Sequence, residues 1–228
     1  MGALSILHRW SKAILFVSLL LGGGLAASAA PLAAGARLSD FQFVDVDEVA
    51  RSTRSLRDKI WVVSVSDKDS AERLQEWIGA ASLKLQRRAP ELPVAYFNIA
   101  DVTVVPGLFH SFVRGLMRRA QRSGDERMRE RLNKASLPEG SLFRWMYLIP
   151  DWEGDYLTRL GVENGEQFHC WVVYRGRVIA SLREGTPAIE ERYLSALDQV
   201  RRRLSAQGAA EADLRGRAHA RASSAPHR

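Results

Sequence analysis

The sequence predicts an α/β domain with a mixed central sheet of about four or five strands and helices on both of its faces. β-branched apolar runs alternate with segments of helical periodicity between residues 38 and 204. The order strand, helix, strand from residue 60 onward implies a parallel pair joined by a right-handed crossover. A hairpin pattern near residue 175 adds antiparallel strands, so the expected architecture has three layers.

The N-terminal half of this domain contains the parallel pair. Residues 41–46 alternate between apolar and polar and predict a short strand or hairpin arm, and residues 60–65 predict a buried central strand. Asp69, followed three residues later by Glu72, predicts a capping box at the start of a helix. The apolar face of that helix consists of Leu74, Trp77, Ile78, Ala81 and Leu85. Residues 94–99 predict the second strand.

A helical insertion at about residues 104–136 follows, beginning at Pro106 and ending in a charged segment at 125–134. Its apolar stripe consists of Leu108, Phe109, Phe112, Val113, Leu116 and Met117. Its opposite face carries Arg114, Arg118 and Arg122, with Arg119 beside them. We expect the stripe to pack on the sheet and the arginines to face solvent. The alternative is a basic contact face that binds anionic lipid or an acidic partner.

The C-terminal third of the domain supplies the remaining strands. Residues 145–149 predict a third strand, and residues 156–160 predict a short helix. Residues 168–174 and 177–182 flank an Arg-Gly turn and predict an antiparallel hairpin.

A final helix and two flanking segments complete the domain organisation. Thr186 is the predicted cap of the final helix, with Pro187 at its first position. Its expected buried face consists of Ile189, Tyr193, Leu194, Leu197, Val200 and Leu204. Residues 30–37 are predicted to be a linker before the domain at 38–204. Residues 205–228 are expected to be disordered, because they contain almost no large apolar residue that could offset the entropy of ordering.

The first 29 residues have the composition of a signal peptide. Arg9 and Lys12 form a short basic region, residues 13–25 are apolar, and an Ala-Ser-Ala sequence at 27–29 predicts cleavage after Ala29. The alternative is an uncleaved anchor, although the apolar run is shorter than the roughly 20 residues that span a bilayer. We therefore expect a bacterial periplasmic or secreted protein.

Charge and cysteine content exclude several classes of protein. The chain has 33 basic and 26 acidic side chains, a net charge of +7. Removal of residues 1–29 leaves 31 against 26, or +5, which does not indicate nucleic-acid binding. Cys170 is the only cysteine, so the chain has no intramolecular disulfide and no zinc site built from cysteines.

Three segments, in this order, resemble the thioredoxin-like superfamily and specifically its redoxin branch. Residues 41–45 together with Ile60-Trp61-Val62-Val63 are similar to the entrance hairpin and first core strand of that branch. Residues 151–162 are similar to its turn and short helix, and Tyr174-Arg175-Gly176-Arg177 to its terminal hairpin. The segment Val105-Pro106-Gly107-Leu108-Phe109 is similar to one found in a set of proteobacterial periplasmic thioredoxin-like proteins without assigned activity, which the chain as a whole resembles. The resemblance covers most of residues 38–204.

Both catalytic features of the redoxin branch are missing from the matching positions. The resemblance places a CxxC redox pair near Asp69 and Glu72, where a helix N-terminus would lower the pKa of a thiol. The sequence there is Asp67-Lys68-Asp69-Ser70-Ala71-Glu72. The resemblance also implies a cis-proline before the hairpin, where this chain has Glu166-Gln167-Phe168. We expect a redox-inactive protein, with no catalytic residue and no cofactor assigned.

The remaining reactive side chains favour structural roles. Cys170 shares a strand face with Phe168 and Val172, which predicts a buried and inert thiol. His169 points to the opposite face, so the two neighbours cannot share one metal ion, and no metal-ligand spacing occurs elsewhere. The carboxylates at 151–155 predict a surface turn, because the segment is too short for a calcium-binding EF-hand loop.

The function predicted from the sequence is a binding or scaffold module with an unidentified protein partner in the periplasm. The first alternative is a thiol-dependent enzyme or sensor that uses Cys170. The second alternative is association of the insertion with an anionic membrane surface.

Overall fold

The structure is a computed structural model that describes residues 30–139 and 142–223. The predicted signal peptide at 1–29 and the last five residues of the predicted tail lie outside the described residues. Among the residues that are described, no helix combines the length and the apolar character needed to cross a membrane.

Within the described residues, seven strands and four α-helices follow one another. The strands are β1 (Gln42–Val44), β2 (Ala50–Ser52), β3 (Ile60–Ser66), β4 (Val94–Asp101), β5 (Met146–Asp151), β6 (His169–Tyr174) and β7 (Arg177–Arg183). The helices are α1 (Ala71–Arg88), α2 (His110–Lys134), α3 (Asp155–Leu160) and α4 (Ile189–Ser223).

The main sheet has five strands in the order β5-β4-β3-β6-β7, and β1 and β2 form a separate hairpin. β3, β4 and β5 are parallel, whereas β6 is antiparallel to both β3 and β7. Every residue of β3 is buried, as its unbroken β-branched run predicts for the centre of a sheet. The predicted α/β class, with a mixed sheet and helices on both faces, is confirmed.

Two apolar cores lie on the two sides of this sheet. One core joins the sheet to α1, α4 and the C-terminal part of α2, and includes Leu85, Leu132 and Leu197. The other lies under the β1–β2 hairpin and α3, and includes Phe43 and Leu157. Because β3, β4 and β5 are parallel, their C-terminal ends, which precede α1, α2 and α3, lie at the same edge of the sheet.

Two predicted helix caps are wrong. α1 begins at Ala71 after Ser70, and the side chain that accepts hydrogen bonds from the turn is that of Asp67, not Asp69. α4 begins at Ile189, because the Thr186 hydroxyl instead accepts a hydrogen bond from the backbone N–H of Arg183. In both cases a turn with its own hydrogen bonds separates the strand from the helix.

Both flanking segments contain hydrogen-bonded structure, and the prediction that the tail is disordered stays a prediction. The predicted linker contacts the end of α3 and the strand β7, with hydrogen bonds from Leu32 N to Leu160 O (3.1 Å) and from Gly35 N to Val178 O (2.8 Å). α4 continues through the predicted disordered tail as far as Ser223. The alanine, arginine and glutamate residues of this segment have high helix propensity, which accounts for the continuation.

Candidate functional site

The candidate site lies where β3 meets α1, at the edge formed by the C-terminal ends of the parallel strands. Asp67 follows β3, and its Oδ1 accepts hydrogen bonds from the backbone N–H groups of Asp69 (2.9 Å) and Ser70 (2.7 Å). The Asp69 side chain is exposed beside Lys68, and Glu72 is exposed as the second residue of α1. The two positions matched to a redox pair therefore carry solvent-facing carboxylates.

The loop that precedes β6 is bonded directly to this turn through Gly165. The Gly165 carbonyl accepts hydrogen bonds from Asp67 N (3.0 Å) and from the buried Ser70 hydroxyl (2.5 Å). On its other side, Gly165 N donates to Asp101 Oδ2 at 2.9 Å, at the end of β4. One residue thus connects the carboxyl ends of β3 and β4 to the start of α1.

The approach at Gly165 leaves no space for a larger side chain. A Cβ atom added there would lie 2.4 Å from Asp67 N, 2.6 Å from the Ser66 carbonyl carbon and 3.0 Å from Asp101 Cβ. Two of these three atoms belong to the backbone, which cannot move as a flexible side chain could. The turn at 67–70 and the loop at 163–168 are consequently in direct contact at Gly165.

A second contact between the same two segments runs through Arg73 on α1. Its guanidinium donates to Asp69 O (2.8 Å), to Glu166 O (3.1 Å) and to both carboxylate oxygens of Glu184. The hydrogen bond from Arg73 outweighs the opposing effect of burial and lowers the pKa of Glu184. Glu184 also accepts a weaker hydrogen bond from Phe168 N at 3.4 Å. The site is therefore closed by polar contacts on both sides of Gly165.

Cys170 is separate from this site. It lies in β6 opposite Ser64 of β3, on the sheet face that α1 and α4 cover, and has no exposed surface. Burial raises the pKa of the Cys170 thiol far above its ordinary value. The predicted burial of Cys170 is confirmed, and its inertness remains a prediction.

His169 points to the opposite face, as predicted, with its ring parallel to Trp171 at a centroid distance of 5.7 Å. Burial, and to a smaller extent the charge of Arg183, lowers the pKa of His169. Within the described parts of the chain, no group of three or more histidine, cysteine, aspartate or glutamate side chains is arranged to hold a metal ion.

The four arginines of the insertion do not share one environment. Arg114 and Arg118 turn toward the β1–β2 hairpin, where their Nη atoms pair with the Glu48 carboxylate at 2.7 and 3.0 Å. Arg118 Nε also donates to Val46 O at 2.8 Å. Arg119 and Arg122 are exposed.

The apolar stripe of α2 faces solvent over its first turns, which corrects the prediction that it packs on the sheet. The exposed fractions are 80% for Leu108, 48% for Phe109, 54% for Phe112 and 47% for Leu116. Helical periodicity grouped the apolar residues correctly, but only Arg114 and Arg118 of the predicted basic face turn toward the β1–β2 hairpin, whereas Arg119 and Arg122 are exposed. The Glu48 ion pairs decide the orientation, and no local sequence signal marks a partner more than 60 positions away.

Comparison with known proteins identifies similar folds only among solved structures. No family model and no curated protein matches the chain. The pneumococcal exposed lipoprotein thioredoxin Etrx1 from Streptococcus pneumoniae is 12% identical, with 71% of this chain and 99% of that chain covered and a TM-score of 0.43. Peroxidoxin BcpB from Mycobacterium tuberculosis is 14% identical, with 75% and 97% covered and a TM-score of 0.45.

A third similar structure is described as a thiol:disulfide interchange protein DsbE from Chlorobium tepidum. It is 14% identical to this chain, and the match covers 73% of this chain and 99% of that chain, with a TM-score of 0.43. The structural neighbours are thus thioredoxin-like and redoxin-type proteins.

Proposed function

We propose that this chain is an exported, redox-inactive binding module with a thioredoxin-like fold. The observation that carries the proposal is the closed contact at Gly165. The turn and loop that would flank a redox pair are joined by hydrogen bonds from Asp67 N and Ser70 Oγ to a single carbonyl.

The chemistry available at this turn supports the same conclusion. A helix N-terminus activates a cysteine by stabilising its thiolate. Here the corresponding backbone N–H groups already have an acceptor, the Asp67 carboxylate, and no thiol is present. A carboxylate cannot form a mixed disulfide or transfer two electrons, so dithiol exchange has no participant at this position.

The alternative based on Cys170 is disfavoured by its surroundings. Thiol chemistry requires the thiolate and an approach path for the reaction partner. Cys170 is fully buried between the sheet and two helices, and its pKa is raised by that burial. It behaves as a small apolar core residue in this setting.

The export component of the proposal rests on the sequence of residues 1–29, with their short basic region and A-x-A cleavage pattern. The binding component rests on the surface that the fold leaves available. The first turns of α2 present large apolar side chains to solvent, and exposed apolar patches mark interaction sites in soluble domains.

Insulin-reduction and peroxidase assays on the protein beginning at Ala30 test redox inactivity. We expect no turnover above the uncatalysed rate, and no difference between the wild type and the Cys170→Ala variant. Turnover that Cys170→Ala abolishes would instead assign a thiol-dependent activity to Cys170 and refute the proposal.

Labelling with a chromogenic disulfide reagent tests the accessibility of Cys170. We expect no fast reaction in the native protein and stoichiometric reaction after denaturation. The matched control is Lys68→Cys in a Cys170→Ala background, because Lys68 is 69% exposed and its substitute should react at once. Native Cys170 reacting as fast as this control would contradict the proposal.

A further inference from the structure

The first turns of α2 and the segment before them form an exposed apolar ridge. The ridge consists of Val104, Leu108, Phe109, Phe112 and Leu116, and Val104 is 83% exposed. From Leu108 onward these residues recur at spacings of three and four, which places them along one side of a helical segment. They project outward because the opposite side of α2 is held against Glu48 and Trp152 by Arg114.

The charged side chains within the segment that carries the ridge are all basic. Residues 102–124 contain four arginines and no aspartate or glutamate. Arg114 and Arg118 are paired with the acidic side chains of the β1–β2 turn. Arg119 and Arg122 are exposed on the following turns of α2, next to the end of the ridge.

An anionic lipid surface fits this combination of shape and charge. A helix whose outer side is apolar and whose exposed flank is basic lies in the plane of a membrane interface, with its apolar side chains among the acyl chains and its cations at the headgroups. Anionic headgroups attract basic side chains that lie close to the surface. A fluid bilayer can accommodate exposed apolar side chains without a preformed complementary groove.

We propose that the ridge binds anionic phospholipid bilayers, with Arg119 and Arg122 contacting the phosphate groups. The proposal names the binding partner of the module proposed above and in that sense rests on it. Its own test does not involve redox chemistry, so either proposal can fail while the other holds.

Vesicle sedimentation tests the proposal with the protein beginning at Ala30, which removes the apolar residues of the first 29 positions. Both apolar cores and all seven strands lie after residue 30, so this protein retains the fold. The probes are vesicles of phosphatidylglycerol with phosphatidylethanolamine, and neutral vesicles of phosphatidylcholine. We expect binding to the first that weakens with added salt, and little binding to the second.

Two double variants separate the apolar and the basic contributions. Leu108→Gln with Leu116→Gln, and Arg119→Glu with Arg122→Glu, should each weaken binding to anionic vesicles by about tenfold or more. The control is Arg192→Glu, an exposed arginine on α4, which should bind as the wild type does. Because all five substituted side chains are exposed or lie on the outer side of a helix, thermal unfolding should stay cooperative in every variant.

Equal sedimentation with and without anionic vesicles would overturn the proposal. So would a dimer that the two leucine substitutions dissociate in analytical ultracentrifugation while vesicles remain unbound, because the ridge would then be an interface between two copies. Binding that survives Arg119→Glu with Arg122→Glu would also overturn it, since the arginines would have no part.

Discussion

At the scale of single residues, Gly165 has the most consequences for the candidate site. Its carbonyl accepts hydrogen bonds from Asp67 and Ser70 in the turn before α1, and its N–H donates to Asp101 at the end of β4. The close approach that these bonds require is available only to a residue without a Cβ atom. The identity of this residue therefore determines whether the site is closed.

Gly165→Ala should lower the free energy of unfolding by about 1–3 kcal/mol, because the new methyl group overlaps backbone atoms of the turn. Urea denaturation monitored by tryptophan fluorescence measures the change. The matched control is Gly124→Ala, where an added Cβ meets nothing within 4 Å inside α2, and a gain of up to about 1 kcal/mol is expected. Equal stabilities for Gly165→Ala and the wild type would show that the contact is loose.

His169 should make stability depend on pH. Since burial holds its pKa in the folded protein below the ordinary value of 6.5, the unfolded chain takes up the proton first as the pH falls. The free energy of unfolding should be level above about pH 6.5 and decrease below it, until the pKa of the folded state is reached. His169→Gln should remove this part of the decrease in urea denaturation from pH 5 to 8, and an unchanged slope would contradict the assignment.

At the scale of elements, α2 illustrates how a few polar contacts orient a helix. His110 stacks on Trp152 at a centroid distance of 3.9 Å, and the Arg114 guanidinium lies over the same indole at 5.6 Å. Arg118 binds the backbone of the β1–β2 turn. Farther along, Leu132 is fully buried in the core beside α1. The helix is thus anchored by polar contacts at its start and by apolar packing at its end.

A double-mutant cycle on Arg118 and Glu48 measures one of these contacts. Because both side chains are partly exposed, Arg118→Ala and Glu48→Ala should show a coupling free energy of about 0.2–1 kcal/mol in urea denaturation. A parallel cycle on Arg119 and Glu48 is the control and should show coupling near zero, because Arg119 is exposed on the outer side of the helix. Equal couplings in the two cycles would mean that Glu48 does not orient α2.

At the scale of the whole molecule, both cores are complete well before the chain ends. Val200 is fully buried, Leu204 packs at the edge of the same core, and the Tyr174 hydroxyl hydrogen-bonds Gln207 at 3.4 Å. Among the described side chains, none beyond this point belongs to a core. Val200, Leu204 and Gln207 thus hold α4 to the domain as far as residue 207.

Truncation distinguishes these two parts of α4. A chain that ends at Gly208 should unfold within about 0.5 kcal/mol of the full chain, because it retains Val200, Leu204 and Gln207. A chain that ends at Gln199 loses Val200 and Leu204 and should be destabilised by more than about 2 kcal/mol. Thermal and urea denaturation measure both. A large loss on ending at Gly208 would show that the distal helix supports the domain.

Much of the fold could be predicted because its signals are local. The β-branched run of β3, the periodicity of α1 and the Arg-Gly turn between β6 and β7 each lie within a short window. The caps of α1 and α4 could not be placed from the sequence. The Asp67 and Thr186 side chains accept hydrogen bonds from backbone N–H groups before the helices begin, and helical periodicity carries no information about those turns. The predicted separation of Cys170 and His169 onto opposite faces followed from the period of two in a strand.

The sequence by itself determined the α/β class, the single buried thiol and the absence of a cysteine pair at the start of α1. Only the tertiary structure decided that Gly165 closes the candidate site and that the apolar side of α2 faces outward. The physical reason is distance along the chain: Gly165 O meets Ser70 Oγ across 95 positions, and Arg114 meets Glu48 across 66. Periodicity shows which residues share a face. Whether that face is buried or exposed depends on contacts with segments that are distant in the sequence.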